Sequence, residues 1–492
     1  MSEIKKTQKE TIKQTADEGS ILDQIIESTN TYPSDEGYDQ TKEGLELFLS
    51  HLIKSDENVK VNKDAIDIMI AKIDEKLQNQ LDEILHNEEF KKIESTWRSL
   101  DYLVSKTNFD ENIKIDILNV SKSQLSEDFE DSFEITQSGL YKHIYAKEYG
   151  QFGGEPYGMI LGNYDFSPSA QDIMTLKNIS KVSAMAHAPF ISAASSKFFG
   201  MDDFSKLPDV KDLKSIFDTP KMTKWKEFRE TDDSRNIALT LPSFLLRVPY
   251  GEEKSIKSFN YKESSSDNNS DYLWGNASFA FSANVINSFA NYRWCSNIIG
   301  PNGGGEVSDL PRHSYSSMGS DQFKIPTEIL LSERKEFELS EEGFIGLTMR
   351  KGSNNAAFFS ANSAQKPKKF GHSPEAKVAE SNYKLSTQLP YMFIINRLAH
   401  YIKVIQRENI GTWKDRNELE KELNDWIKNY ISDQENPSVS VRQRRPLRNA
   451  KISVFEVEGD AGWYKVSLKV VPHFKYMGSS FTLSLVSKLD KE

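Results

Sequence analysis

One glycine-rich run, one cysteine and eight histidines are the residues whose types invite chemistry in this chain. Gly300, Pro301, Asn302, Gly303, Gly304 and Gly305 have the composition of a loop that wraps a phosphate with backbone N–H donors. A Lys followed by Ser or Thr completes such a loop, whereas Glu306 and Val307 follow here. A carboxylate at that place repels phosphate, so the run reads as a structural turn. His51, His86, His143, His187, His313, His372, His400 and His473 include no pair at the three- or four-residue spacing with which one helix holds a metal. Cys295 sits in RWCSN, without a nucleophile's signature, and reads as a small buried apolar residue. No Gly-x-Ser-x-Gly elbow occurs, and the carboxylate pairs Glu341 with Glu342 and Asp202 with Asp203 read as surface charge. The expectation is a chain that is no enzyme, with no catalytic residue, no cofactor and no metal site.

Composition narrows the classes further. A length of 492 residues exceeds the ~250–300 at which one core stops growing, so two or more packed lobes are expected. With 37% hydrophobic and 27% charged residues, disorder of the whole chain is excluded. A net charge of −11 attracts neither nucleic-acid phosphate nor an anionic bilayer. A lone cysteine forms no intrachain disulfide and suits a reducing compartment. The first residues lack the apolar core of an export signal, and no run of about 18 uncharged apolar residues appears, so a cytoplasmic location is expected.

The elements that position side chains are read from periodicity. Residues 1–60 form a polar arm and helices ordered in part on a partner, with a patch at Ile21, Leu22, Ile25 and Ile26 and helical spacing from Thr41 to Ile53. Ile66, Ile70, Ile73, Leu77, Leu81 and Ile84 then recur every three or four residues, which places them in one stripe along a helix. Such a stripe either docks on the chain's own core or pairs with a helix of a second polypeptide. Within 61–380 helix and strand signals alternate, with strands over Ile113–Val120, Gly158–Leu161, Ile237–Leu241 and Phe244–Val248 and helices over Asp172–Ala188 and Phe279–Trp294.

Within 381–492 two helices come first, one after Leu385 and one over Glu418–Ile431, and then the period changes to two. Ile452–Val457 is one strand, and Tyr464, Val466, Leu468 and Val470 alternate with Lys465, Ser467 and Lys469 to give the next. Phe481, Leu483 and Leu485 give a third. The fold class is α+β, with a mixed α/β multi-lobed body, N-terminal helices and a C-terminal β-ribbon. A three-strand ribbon is marginal in water and has unpaired edges, so it needs cover or a pairing partner. Arg442, Arg444, Arg445 and Arg448 precede it as a solvated linker or a docking patch for an acidic neighbour.

Long stretches carry a resemblance. STWRSLDYLV (95–104), MAHAPFISAAS (185–195), LTLPSFLLRVPYG (239–251), YLWGNASFAF (272–281) and IIGPNGGGEV (298–307) are similar to the large sheath subunit of type VI secretion systems, the family called TssC, VipB, EvpB or IglB. KIPTEILLSERKEFELSEEGFIGL (324–347), QLPYMFIINRLAHYIKVIQRENIG (388–411) and RPLRNAKISVFEV (445–457) continue it in the family's order, while the first sixty or so residues match poorly. The resemblance implies pairing with a small sheath subunit of the TssB, VipA or IglA kind and polymerisation with neighbouring protomers around an inner tube of Hcp-like protein, built on a baseplate. It implies that the terminal strands complete an intersubunit sheet, and it favours the shared-helix reading of the Ile66 to Ile84 stripe. The expected interface residues are therefore that stripe together with Tyr464, Val466, Leu468, Val470, Phe481, Leu483 and Leu485. A sheath or tail protein of another phage-like contractile assembly is the alternative, and a soluble enzyme using the glycine loop the third.

Overall fold

Strands that are buried at nearly every position must be covered on both faces, and this requirement organises the body of the chain. The computed structural model describes residues 26, 37–54, 63–251, 261–263, 269–317, 320–371, 373–410, 414–434, 437–456, 464–473 and 483–487. They fall into two compact units, the first ending at Asp82 and including Tyr261, the second running from Glu83 onward.

The first unit contains α1 (Tyr38–Lys54) and most of α2 (Lys63–Leu85). In the second, α3 (Glu88–Ser105) is started by Asn87, whose side chain accepts from the backbone N–H groups of Glu89 and Phe90. The main sheet has six strands, β1 (Ile160–Phe166), β2 (Phe190–Ala194), β3 (Ile237–Leu241), β4 (Glu306–Val307), β5 (Phe344–Met349) and β6 (Ala356–Phe358), in the order β1-β2-β3-β5-β6-β4. The first four in that order run parallel, and β6 and β4 are added antiparallel. Because successive side chains point to opposite faces, Ile237, Leu239 and Phe344 meet α4 (Ala170–Ala186) through Ile173, Leu176 and Ile179, while Ala238, Ile345 and Leu347 meet α5 (Ala277–Tyr292) through Ala280, Phe281 and Val285.

A second sheet closes the chain. α6 (Leu389–Glu408) and α7 (Arg416–Ile427) precede β7 (Leu447–Glu456), β8 (Tyr464–Pro472) and β9 (Leu483–Ser487), which pair antiparallel in the order β7-β8-β9. Cross-strand pairs Ile452 with Leu468 and Val454 with Val466 line one face. That face packs on Ile394, Leu398 and Ile402 of α6 and Leu423 and Ile427 of α7. The turn expected at Glu458 to Gly462 and the patch at Ile21, Leu22 and Ile25 lie outside the described residues, whereas Ile26 is buried.

One expected strand differs. Residues 113–120 have no place in any sheet of the described residues, although the neighbouring strands fall within a few residues of their expected positions.

Candidate assembly surfaces

The positions that invited chemistry are occupied by structure. Gly300 and Gly304 adopt φ of 74° and 89°, a region that L side chains avoid. Gly303 and Gly305 both donate their N–H to the carbonyl of Gly300, and Gly300 donates to Phe358. The donors that would face a phosphate are thus turned inward. A Cβ at Gly304 would stand 2.2 Å from the carbonyl oxygen of Asn297, which is why the run is glycine-rich. Burial pushes the Cys295 thiol up to about 12, leaving almost no thiolate at neutral pH. Among the described residues no group of three His, Cys, Asp or Glu side chains is placed to hold a metal ion.

His187 and His400 are enclosed by the aromatic side chain of Tyr149 and by Lys403, with their own ring centroids 6.1 Å apart. Burial lowers both to about 4, aided by the repulsion between the two rings at His187 and by Arg397 and Lys403 at His400. His400 Nε2 lies 2.9 Å from the carbonyl oxygen of Ala186. The pair joins α6 to the C-terminal end of α4.

A cleft of about 220 Å³ opens at the C-terminal ends of the parallel strands, lined in part by Asp165, Asp202, Asp203 and Glu328. Burial raises Glu328, and hydrogen bonds from Ser205 hold Asp203 below the usual carboxylate range. Within this acidic cleft the backbone and hydroxyl of Ser243 both hydrogen-bond the Glu328 carboxylate.

The expected interface residues separate into two kinds. On α2, Ile70, Ile73, Leu77 and Ile84 are between 44 and 53% exposed, and Leu81 is half-buried. Ile66 lies on the same helix, with its side chain outside the described residues. On β8 the outcome is opposite. Val466, Leu468 and Val470 are 2 to 3% exposed and belong to the chain's own core, with Tyr464 packed at its edge. Within the chain α6 and α7 cover these three, because burying that face removes its apolar area from water without waiting for a partner. Leu483 and Leu485 are in register with Val470 and Leu468, and Phe481 lies outside the described residues.

The edges of the terminal sheet also differ. On β7, Asn424 of α7 accepts from the Ile452 N–H at 3.0 Å and donates to the Ile452 carbonyl at 2.7 Å. Glu420 accepts from the Val454 N–H at 2.9 Å. Two side chains thus stand where a neighbouring strand's backbone would. Among the described residues the outer edge of β9 has no strand beside it. These caps carry no periodic signal and were not legible in the sequence. Also missed was an exposed row on α3, Phe90, Ile93 and Trp97, whose three- and four-residue spacing is visible in the sequence. Of the arginines, Arg442, Arg444, Arg445 and Arg448 are all exposed.

Comparison with known proteins places this arrangement. Residues 67–365 match the EvpB/VC_A0108 tail sheath N-terminal domain, and residues 378–489 match the EvpB/VC_A0108 tail sheath gpW/gp25-like domain. The chain is 41% identical over 431 residues, 86% of each chain, to the type VI secretion system sheath protein TssC1 of Pseudomonas aeruginosa. A glycine run folded into a turn, an open helical stripe and a one-sided terminal sheet fit a part made for assembly, and the chain belongs to the tail sheath family, as a large subunit of the type VI secretion contractile sheath.

Proposed function

We propose that the chain pairs with a small sheath subunit in the cytoplasm, and that the pairs polymerise into a helical tube around an inner tube whose expulsion follows when the sheath shortens. The role is mechanical, and the chain itself catalyses nothing. The observation that carries this reading is the α2 stripe: Ile70, Ile73, Leu77 and Ile84 form a ridge that the chain leaves open to water, as a helix does when its partner lies on another polypeptide.

The terminal sheet supplies the second link. A strand from a neighbouring protomer laid along the outer edge of β9 would extend the sheet, and a ladder of backbone hydrogen bonds worth about 0.5–1.5 kcal/mol each would tether protomers while their bodies rotate. Contraction then needs flexing connections between rigid bodies, and no bond has to be made or broken by chemistry.

Coexpression with a small sheath subunit, followed by negative-stain microscopy, tests the proposal. Tubes are expected from the wild-type pair, and none from a pair carrying Ile73→Asp with Leu77→Asp. A monodisperse monomer that ignores the small subunit would sink the reading.

A further inference from the structure

Residues 113–120, Ile-Lys-Ile-Asp-Ile-Leu-Asn-Val, have the composition and alternation of a β-strand, yet no sheet of the described chain contains them. Asn112, in the left-handed region at φ 57°, turns the chain out of a short helical turn and into this segment. Ile113 and Ile115 then pack against the cluster of Leu103, Phe279, Ala283 and Ile286, and Val120 against the main core, so the ends of the segment are anchored. Between them Ile117 is 70% exposed and Leu118 51% exposed.

The backbone is what makes this more than an apolar spot. No backbone hydrogen bond joins residues 113–119 to any described residue, and only the Val120 carbonyl is met, by the Tyr164 hydroxyl at 2.8 Å. The charges of the segment are already matched within the chain. Lys114 pairs with Glu155, and Asp116 accepts from the Tyr157 hydroxyl at 2.7 Å. What remains open is an extended row of alternating N–H and C=O groups around two uncharged aliphatic side chains. Only another extended backbone returns that alternation, and an unpaired row of this kind is the template for strand addition.

We infer that residues 113–120 are a docking strand, completed by an extended, uncharged aliphatic strand of the small sheath subunit. This rests on the proposed pairing and names a contact within it. A local spacer would be polar and rich in glycine or proline, whereas this one is written in β-branched residues with both of its charges neutralised at home. The partner strand would place its own aliphatic side chains beside Ile117 and Leu118. Its ends are set by the anchored Ile113 and Val120.

A photo-crosslinking residue in place of Leu118, in the full chain coexpressed with the small subunit, identifies the occupant. An adduct with the small subunit is expected, while an adduct with a second copy of this chain, or none in a sample that forms tubes, overturns the inference and leaves the proposed function standing. Hydrogen exchange of the same complex reads the ladder directly. Amides of 113–119 should exchange at least about tenfold more slowly in the complex than the open segment allows, and fast exchange there in intact tubes would also overturn it. Ile117→Pro removes a donor and should prevent pairing, whereas Ile117→Val, which keeps the strand, should not. Equal pairing by the two variants counts against the ladder. A failure of wild-type tubes to form at all would count against the proposed function instead.

Discussion

The stripe on α2 and the alternation on β8 look alike as patterns, since both are clean apolar periodicities flanked by charge, yet the folded chain treats them in opposite ways. Val466, Leu468 and Val470 are consumed by the chain's own α6 and α7. Ile70, Ile73, Leu77 and Ile84 are left in water. Periodicity therefore says that a face will be covered without saying by whom. A strand can be covered by helices that came before it, as Ile394, Leu398 and Leu423 cover β8 here, whereas among the described residues the ridge on α2 stays largely exposed.

That contrast can be broken most sharply at β8. Leu468→Ala removes a side chain that is almost fully buried and should cost about 2–5 kcal/mol, read as a fall in the urea midpoint of the purified subunit pair; a change below about 0.5 kcal/mol would mean that the sheet's inner face is not core. Next in size is Asn424→Ala, which leaves the N–H and carbonyl of Ile452 without their partner and should cost about 1–3 kcal/mol by the same measurement. Asn424→Asp, which keeps only the acceptor, should recover part of that loss.

The anchoring of α6 to the body can be read through pH. His400 and His187 are held at about 4 in the folded chain, below the 6.5 of the free side chain, so the unfolded chain binds more protons between those values. Stability is then fully present above pH 6.5 and is lost as pH falls towards 4. Between pH 7 and 5 the loss should be about 1–2 kcal/mol per histidine, and His400→Phe should flatten the profile by one such step. The other charged and titratable groups facing this pair are Lys403, Arg397 and Tyr149. Smallest is the effect expected on α2: Ile73→Ser with Leu77→Ser should shift the stability of the isolated subunit by no more than about 0.5 kcal/mol per site, while abolishing tube formation. Large unfolding in that variant would show that the ridge packs at home after all.

The mixed α/β body was legible in the sequence because helix and strand signals alternate along it and its helices carry an inward stripe, as Ile173, Leu176 and Ile179 do. The sequence made the terminal strands legible through the alternation from Tyr464 to Val470, and the fit of the glycine run to a turn through Glu306. Three things were not readable. Which surface covers β8 depends on the directions in which α6 and α7 leave the body, and this is set by tertiary packing rather than by any local pattern. The polar caps on β7 depend on where Asn424 and Glu420 arrive in space. Residues 113–120 have a strand's sequence, but whether a strand finds a neighbour is a property of the whole molecule and of its partners.

The caps on β7 have a consequence for how such a part is used. A sheet whose two margins were equally free could be lengthened from either side, and copies of it could join without end into a fibre. Here Asn424 and Glu420 imitate the neighbour on one margin, so recruitment there would first have to displace them. Strand addition would therefore be left to the opposite margin, so that copies joined edge to edge would stop at a pair instead of running on into a fibre.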